Sequence, residues 1–156
     1  MKKILLFIMV LFFVTACNNA ENAPIKERID NVLMDEYVEG KMTGDYKKVH
    51  SAMPEFVYTN ILYNKDAIIE EYNNNVENYG ENFKIEYVIK EKNSIVNDGL
   101  SKLNELIGIS FNTNSMASEC YNLNGLFTYS GTKNTSEEEF NAYYCKYDST
   151  WYLIMN

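Results

Sequence analysis

The period of the apolar positions changes along the chain, and these changes predict its organisation. Residues 4–14 form an unbroken apolar run, and three segments with apolar residues at helical spacing follow before residue 80. Alternation from Phe83 to Ile89 predicts a strand with one buried face. Residues 98–107 return to helical spacing, and the remainder favours an antiparallel strand meander. This order predicts an α+β domain in which helices pack on a curved antiparallel sheet.

Helix boundaries are predicted from residues that favour the first or the last turn. Pro24 suits the first turn of the first helix, and residues 45–53 are predicted to form the second. Residues 55–63 fit either a turn of helix or an extended segment. The predicted N-caps are Thr43 and Asn64, and the predicted stops are Gly40, Gly80 and Gly108.

The register of the last strands can be predicted because it must separate apolar from polar residues. A connection at residues 131–134 places Tyr121 opposite Tyr144 on one apolar face, and a slip of one residue would mix the two faces. The same register places Cys120 opposite Cys145. A disulfide is therefore expected, with two free thiols as the alternative. A turn at residues 148–149 would bring Trp151, Leu153 and Met155 onto the same buried side.

The N-terminal apolar run predicts export. It follows Lys2 and Lys3 and covers about eleven residues, whereas a membrane-spanning helix needs roughly 20. Val14-Thr15-Ala16-Cys17, which closes the run, resembles the lipobox of bacterial lipoproteins. The resemblance implies cleavage before Cys17 and attachment of a fatty-acylated lipid to its thiol. An ordinary secretory signal is the alternative.

These features divide the chain into three parts. Residues 1–16 are expected to be a lipoprotein signal peptide, and residues 17–24 the lipidated cysteine with a polar tether. Residues 25–156 are expected to form a single α+β domain. The expected location is the extracytoplasmic face of the cell membrane, held by the lipid anchor.

The charge of the chain argues against two classes of partner. Its net charge is −8, and removing Lys2 and Lys3 leaves 12 of the 14 basic residues against 22 acidic ones, near −10. Nucleic-acid binding needs clustered basic residues, so no nucleic-acid partner is expected. An anionic leaflet is disfavoured for the same reason. The acidic runs lack the spacing of a calcium loop, and one histidine cannot supply a zinc cluster, so no metal or cofactor is predicted.

Two loose motifs add a resemblance over about residues 25–156. Gly44-Asp45-Tyr46 lies between the first two helices, and the segment 146–153 forms a strand, tight turn and Trp-Tyr-Leu strand. With the element order, these resemble the cystatin-like cone fold, also called nuclear-transport-factor-two-like, of small bacterial lipoproteins. The resemblance implies a sheet curled around a helix, with a cavity of variable depth. Such domains include enzymes, ligand binders and interaction modules, so the fold does not choose a function.

Four residues are candidates for a cavity site. On a cone fold, His50 on the apolar face of the second helix could act as a general base, and packing is its alternative role. The tyrosines of the buried sheet face could donate hydrogen bonds to a ligand. These candidates are Tyr87, Tyr121, Tyr144 and His50.

The opposite sheet face is a second candidate. Tyr143, Tyr147 and Tyr152 would cluster there with Ile154, and an exposed aromatic group can mark a partner site or a dimer interface. The favoured function is a membrane-anchored, non-catalytic binding module for an envelope protein or a small ligand, with a homodimer left open. The alternative is a small-molecule enzyme of isomerase or dehydratase type that uses His50.

Overall fold

The computed structural model describes residues 25–60 and 62–155, with side chains from residue 31 onward. Val32–Asn156 forms one compact unit. The predicted signal peptide, Cys17 and the tether lie outside the described residues. Among the helices that are described, none combines the length and apolar composition of a membrane span.

The described chain folds as the α+β architecture that the sequence predicts, with helices packed on a curved antiparallel sheet. The elements in chain order are α1 (Ile25–Thr43), α2 (Tyr46–Ala52), α3 (Glu55–Tyr58), α4 (Lys65–Tyr79), β1 (Lys84–Ile95), α5 (Asp98–Phe111), β2 (Glu119–Ser130), β3 (Thr135–Tyr147) and β4 (Thr150–Met155). The four described strands stand in the order β1-β2-β3-β4, so each strand pairs with its neighbour in sequence.

The predicted end of the first helix is wrong, and packing explains why. Gly40 lies inside α1, where a Cβ atom would stand 2.6 Å from Val49 Cγ2 of α2. The glycine therefore permits close approach of two helices. Thr43, the predicted N-cap of α2, is also wrong. The Asp45 carboxylate caps the helix by accepting a hydrogen bond from the Lys47 amide at 3.0 Å, whereas the Thr43 hydroxyl donates to the Glu39 carbonyl.

Helix α4 begins and ends where the sequence predicts. The Asn64 side chain accepts a hydrogen bond from the Ala67 amide at 2.9 Å, and Gly80 follows the helix with φ of 103°. Gly108, in contrast, does not end α5. The helix continues to Phe111 and is closed by Asn112 in the left-handed conformation.

The predicted register of β2 and β3 is confirmed. Tyr121 pairs with Tyr144, and Cys120 pairs with Cys145. The two sulfur atoms lie 2.07 Å apart, at disulfide distance, and both cysteines are fully buried. On the other side of β2, β1 pairs over its whole length apart from a bulge between Ile89 and Glu91.

Helices cover both faces of the sheet. On the inner face, Tyr37 of α1 contacts Phe127, and Tyr79 of α4 stacks on Tyr129. On the outer face, α5 packs beside β3 and β4, and Phe56 of α3 contacts Tyr147. The sheet is thus the middle layer at this end of the domain.

Candidate functional site

His50 takes part in packing between α2 and the segment after α3. Its Nε2–H group donates to the Tyr63 carbonyl at 2.9 Å. One face of its ring stacks on Tyr58 at 4.5 Å between centroids, and Tyr46 meets it edge-on at 5.4 Å. These contacts support the packing role that the sequence left open as the alternative.

Tyr87 lies in a cleft between α1 and β1. Its hydroxyl donates to Asp35 Oδ1 at 2.7 Å. Burial, and then the hydrogen bond to the Asp35 carboxylate, raise the pKa of Tyr87 above its ordinary value. The hydroxyl of Tyr87 is thus hydrogen-bonded to α1, whereas the ring of His50 is hydrogen-bonded to the segment after α3.

Tyr121 and Tyr144 do come together, at the far end of the inner face. Tyr144 stacks on Trp151 with centroids 4.5 Å apart, and Tyr121 lies 5.9 Å from the same indole. The Lys92 ammonium stands 4.6 Å from the Tyr121 ring and 5.7 Å from the Tyr144 ring. Cation–π attraction and stacking thus stabilise this corner. The alternation of β4 placed Trp151 on the buried side, but nothing in the sequence placed Lys92 there.

A buried cation on α1 was missed by the sequence interpretation. Lys41 is 7% exposed, pairs with Glu71 of α4 and donates to the Tyr129 hydroxyl at 3.3 Å. Its ammonium lies 5.3 Å from the Tyr37 ring and 5.6 Å from the Phe127 ring. A helical wheel would have flagged it, because Lys41 follows Tyr37 by four residues on the buried stripe.

Electrostatics hold this cation in its charged form. Burial alone lowers the pKa of Lys41, but Coulombic coupling to the Tyr37 phenol, which acts once that phenol is ionised, and to the Glu71 carboxylate more than offsets it, so the pKa lies above its ordinary value. Burial likewise raises the pKa of Tyr37. Near neutral pH, Lys41 therefore stays protonated and Tyr37 stays neutral, so neither side chain is suited to proton transfer. The Lys41–Glu71 ion pair has a structural role.

The outer face differs from the exposed aromatic cluster that the sequence predicts. Tyr147 is only 7% exposed and packs edge-on against Phe56 at 5.2 Å, and Ile154 is 2% exposed. The reason is that α3 and α5 cover this end of the sheet. Tyr143 and Tyr152 remain half-buried. Tyr147 is therefore part of the core, whereas Tyr143 and Tyr152 keep part of their surface exposed.

Helix α5 has apolar side chains both on its buried side and on its exposed side. Leu103 and Ile107 are buried against the sheet, yet Leu106 is 57% exposed and Ile109 is 75% exposed. Met116, which follows the helix, is 73% exposed and lines a shallow groove with Ile109. No charged residue occurs in 106–117. Leu106 and Ile109 thus form a small exposed apolar patch on a helix that also turns charged residues to water. The exposed charged residues of α5 are Asp98, Lys102 and Glu105.

A small cleft lies beside this apolar patch. It has a volume of about 100 Å³, and its walls come from α5, β3 and the end of β4. The residues that line it are Leu103, Leu106, Ile107, Ser110, Phe111, Tyr143, Ile154 and Met155. The exposed side chains Leu106, Ile109 and Met116, together with this cleft, are called the α5 surface below.

No family model, curated protein or solved structure matches this chain. Among the described residues, no three His, Cys, Asp or Glu side chains come close enough to hold a metal ion. The geometry of the described residues therefore carries the functional inference.

Proposed function

We propose that the protein is a lipid-anchored, extracytoplasmic, non-catalytic binding module that docks a partner protein on the α5 surface. The observation that carries this proposal is the exposed apolar patch that Leu106 and Ile109 form on α5. One side of the helix is buried against the sheet, and the other presents Leu106 and Ile109 to solvent. Burying such side chains against a partner contributes about 25 cal/mol per Å² of apolar area.

The cleft gives the surface a place for an anchor side chain. Binding energy at interfaces concentrates where an apolar or aromatic group enters a desolvated pocket. Tyr143 lines the cleft and is half-buried, so it retains the surface that the sequence analysis assigned to a partner. The preferred partner surface is therefore apolar at its centre, and charged groups can lie at its edge, because Lys102 and Glu105 are exposed beside Leu106.

The contacts of His50 support the non-catalytic interpretation. Its Nε2–H group is engaged by the Tyr63 carbonyl, and its ring is held by Tyr58. The buried tyrosines that could have served as its partners lie on the sheet, where Tyr121 and Tyr144 contact Lys92 and Trp151. The enzyme alternative predicts that His50→Ala would abolish a biological phenotype while fold and docking stay intact.

The anchor part of the proposal rests on the lipobox resemblance at Cys17. Feeding cells an alkyne fatty acid should label the protein, and Cys17→Ser should remove the label. Label that survives in the Cys17→Ser variant would place the acyl chain elsewhere, and no label on either protein would remove the anchor from the proposal.

Docking is tested by site-specific photo-crosslinking in the exporting cell. A photoreactive residue at position 109 should give one defined adduct, and adding Leu106→Asp should remove it. The same residue at Val32, which is 54% exposed on α1, is the matched control and should give none. Equal adducts from both positions, or none from position 109, would overturn the docking role of α5.

A further inference from the structure

We propose that Lys41 and Asn75 form a binding site for a small carboxylate with a short apolar tail, such as propionate, and that the Glu71 side chain occupies this site when no ligand is bound. The site lies between α1 and α4 on the inner face of the sheet, so it is independent of the docking role of α5. The Lys41–Glu71 ion pair is its ligand-free state.

Lys41 supplies the charge of the site. Its ammonium is buried and lies 5.3 to 5.8 Å from the ring centroids of Tyr37, Phe127 and Tyr129. It pairs with Glu71 and donates to the Tyr129 hydroxyl, and an ammonium has three donors in all. A buried cation needs an anion beside it, because an unpaired buried charge is strongly destabilising. The site therefore requires a carboxylate, but that carboxylate need not belong to the chain.

Asn75 supplies a donor that Glu71 leaves unused. It is 9% exposed and lies on α4, one turn after Glu71 and one turn before Tyr79. Residues four apart share a face of a helix, and Tyr79 stacks on Tyr129, so Asn75 faces the surroundings of Lys41. Among the described residues, its Nδ2 group has no hydrogen-bond partner, which is costly for a buried donor. A ligand carboxylate has two oxygens, one for Lys41 and one for Asn75.

Glu71 marks the entrance of the site. The Lys41 side chain is 8% exposed, whereas the Glu71 side chain is 46% exposed, so the ion pair extends from the core to the surface. The Glu71 carboxylate is already partly solvated and can rotate into water at little cost. The space that it leaves has the size of propionate, because the side chain of glutamate beyond Cα is a propionate group. The site therefore favours short, unbranched carboxylates.

The exchange of one carboxylate for another sets the expected affinity. Repulsion by the net charge of −8 acts on a small anion chiefly during its approach, and physiological salt screens it. The ligand gains the hydrogen bond to Asn75, but it competes with a tethered side chain whose effective concentration is in the millimolar range or higher. The expected dissociation constant for propionate is therefore about 1–10 mM.

The test follows the side-chain amide signals of Asn75 by NMR while the full chain, purified in detergent and labelled with heavy nitrogen, is titrated with sodium propionate. These signals are identified by their loss in Asn75→Leu. They should shift and saturate with a midpoint of about 1–10 mM, whereas sodium chloride should move them little. The exposed amide of Asn73 on the same helix is the internal control and should not saturate. Asn75 signals that do not saturate at ten times the expected midpoint would overturn the site.

Two variants separate a ligand site from a permanent ion pair. Glu71→Ala removes the competing carboxylate, so the propionate midpoint should fall at least about tenfold, whereas Glu70→Ala at an exposed position should leave it unchanged. Lys41→Met should abolish the shift, and a shift that persists would place propionate elsewhere and overturn the proposal. Binding by Glu71→Ala alone would show that Glu71 never leaves the site, which also overturns it. None of these results depends on the crosslink at position 109, so the site and the docking role fail separately.

Discussion

Asn104 of α5 and Ala117 are joined by two hydrogen bonds. The Asn104 side-chain amide donates to the Ala117 carbonyl at 3.0 Å, and its oxygen accepts from the Ala117 amide at 2.8 Å. Both residues are buried. The pair closes the loop after α5 and fixes the helix relative to the start of β2, so it also fixes the orientation of Leu106 and Ile109.

Asn104→Ala should destabilise the fold and the α5 surface together. The substitution leaves two buried backbone groups of Ala117 without partners, and each such group costs about 1–3 kcal/mol. A loss of about 3 kcal/mol in the free energy of unfolding is expected from urea titration. Ser101→Ala on the exposed side of the same helix is the control and should change little. An unchanged stability in Asn104→Ala would show that water replaces the amide.

The sequence predicted the sheet well because two independent patterns agreed. Alternation in β2 and β3 and the placement of Cys120 opposite Cys145 select one register, and that register is observed. The same predicted register assigned Tyr147 to the outer face of the sheet correctly. It could not show that this face would be covered, because the position of α5 depends on contacts between residues distant in sequence, such as Phe111 with Phe56.

The same limit explains the errors at helix ends and the missed cation. Gly40 looks like a stop in isolation, but its role is set by Val49 of the next helix. Lys41 looks like a surface residue until Glu71 and Tyr129 supply its partners from elements far along the chain. Helix ends were predicted correctly where the capping side chain forms a hydrogen bond with its own helix, as Asn64 does with Ala67. The helical spacing of residues 98–107 predicts α5, but only the fold shows that Leu106 stays exposed.

Gly40→Ala should destabilise the protein although alanine favours helices. The added Cβ would meet the Val49 side chain at 2.6 Å and the Val49 amide nitrogen at 2.8 Å. Overpacking of this kind costs about 1–3 kcal/mol, which exceeds the helix-propensity gain of about 1 kcal/mol. A lower midpoint of thermal unfolding is expected. Gly99→Ala in α5, where the nearest atom lies at 3.3 Å, is the control. A higher midpoint for Gly40→Ala would mean that α1 and α2 separate easily.

Removing Glu71 should cost more than removing Lys41. Glu71→Gln leaves the Lys41 ammonium buried without its carboxylate, and an uncompensated buried charge costs about 3–5 kcal/mol. Lys41→Met leaves Glu71, whose side chain is 46% exposed and can be solvated, so a smaller loss is expected. Urea titration of both variants at neutral pH measures the difference. Equal losses, or a larger loss in Lys41→Met, would show that the aromatic rings alone stabilise the ammonium.

Reducing the Cys120–Cys145 pair should lower stability without changing the fold. The residues are 25 apart in sequence, and a loop of that length contributes about 3.5 kcal/mol in the chain-entropy model. Because both cysteines are fully buried, reduction in native buffer should be slow and should quicken when denaturant is added. Intact mass with and without reductant follows the bond. Fast reduction in native buffer would mean that β2 and β3 open readily at this end.

Tyr147→Phe should leave stability at neutral pH unchanged or raise it by about 1 kcal/mol. Among the described residues, the buried Tyr147 hydroxyl has no hydrogen-bond partner, so removing it removes a desolvation cost. Burial also raises the pKa of Tyr147 from 10.0 to about 12, so the folded protein holds this proton while the unfolded chain releases it. Stability should therefore fall as the pH rises from about 10 to about 12, and less steeply in Tyr147→Phe. Urea titrations across that range, with Tyr152→Phe as the control, measure both effects. A loss at neutral pH well above about 1 kcal/mol would show that the hydroxyl is hydrogen-bonded in solution.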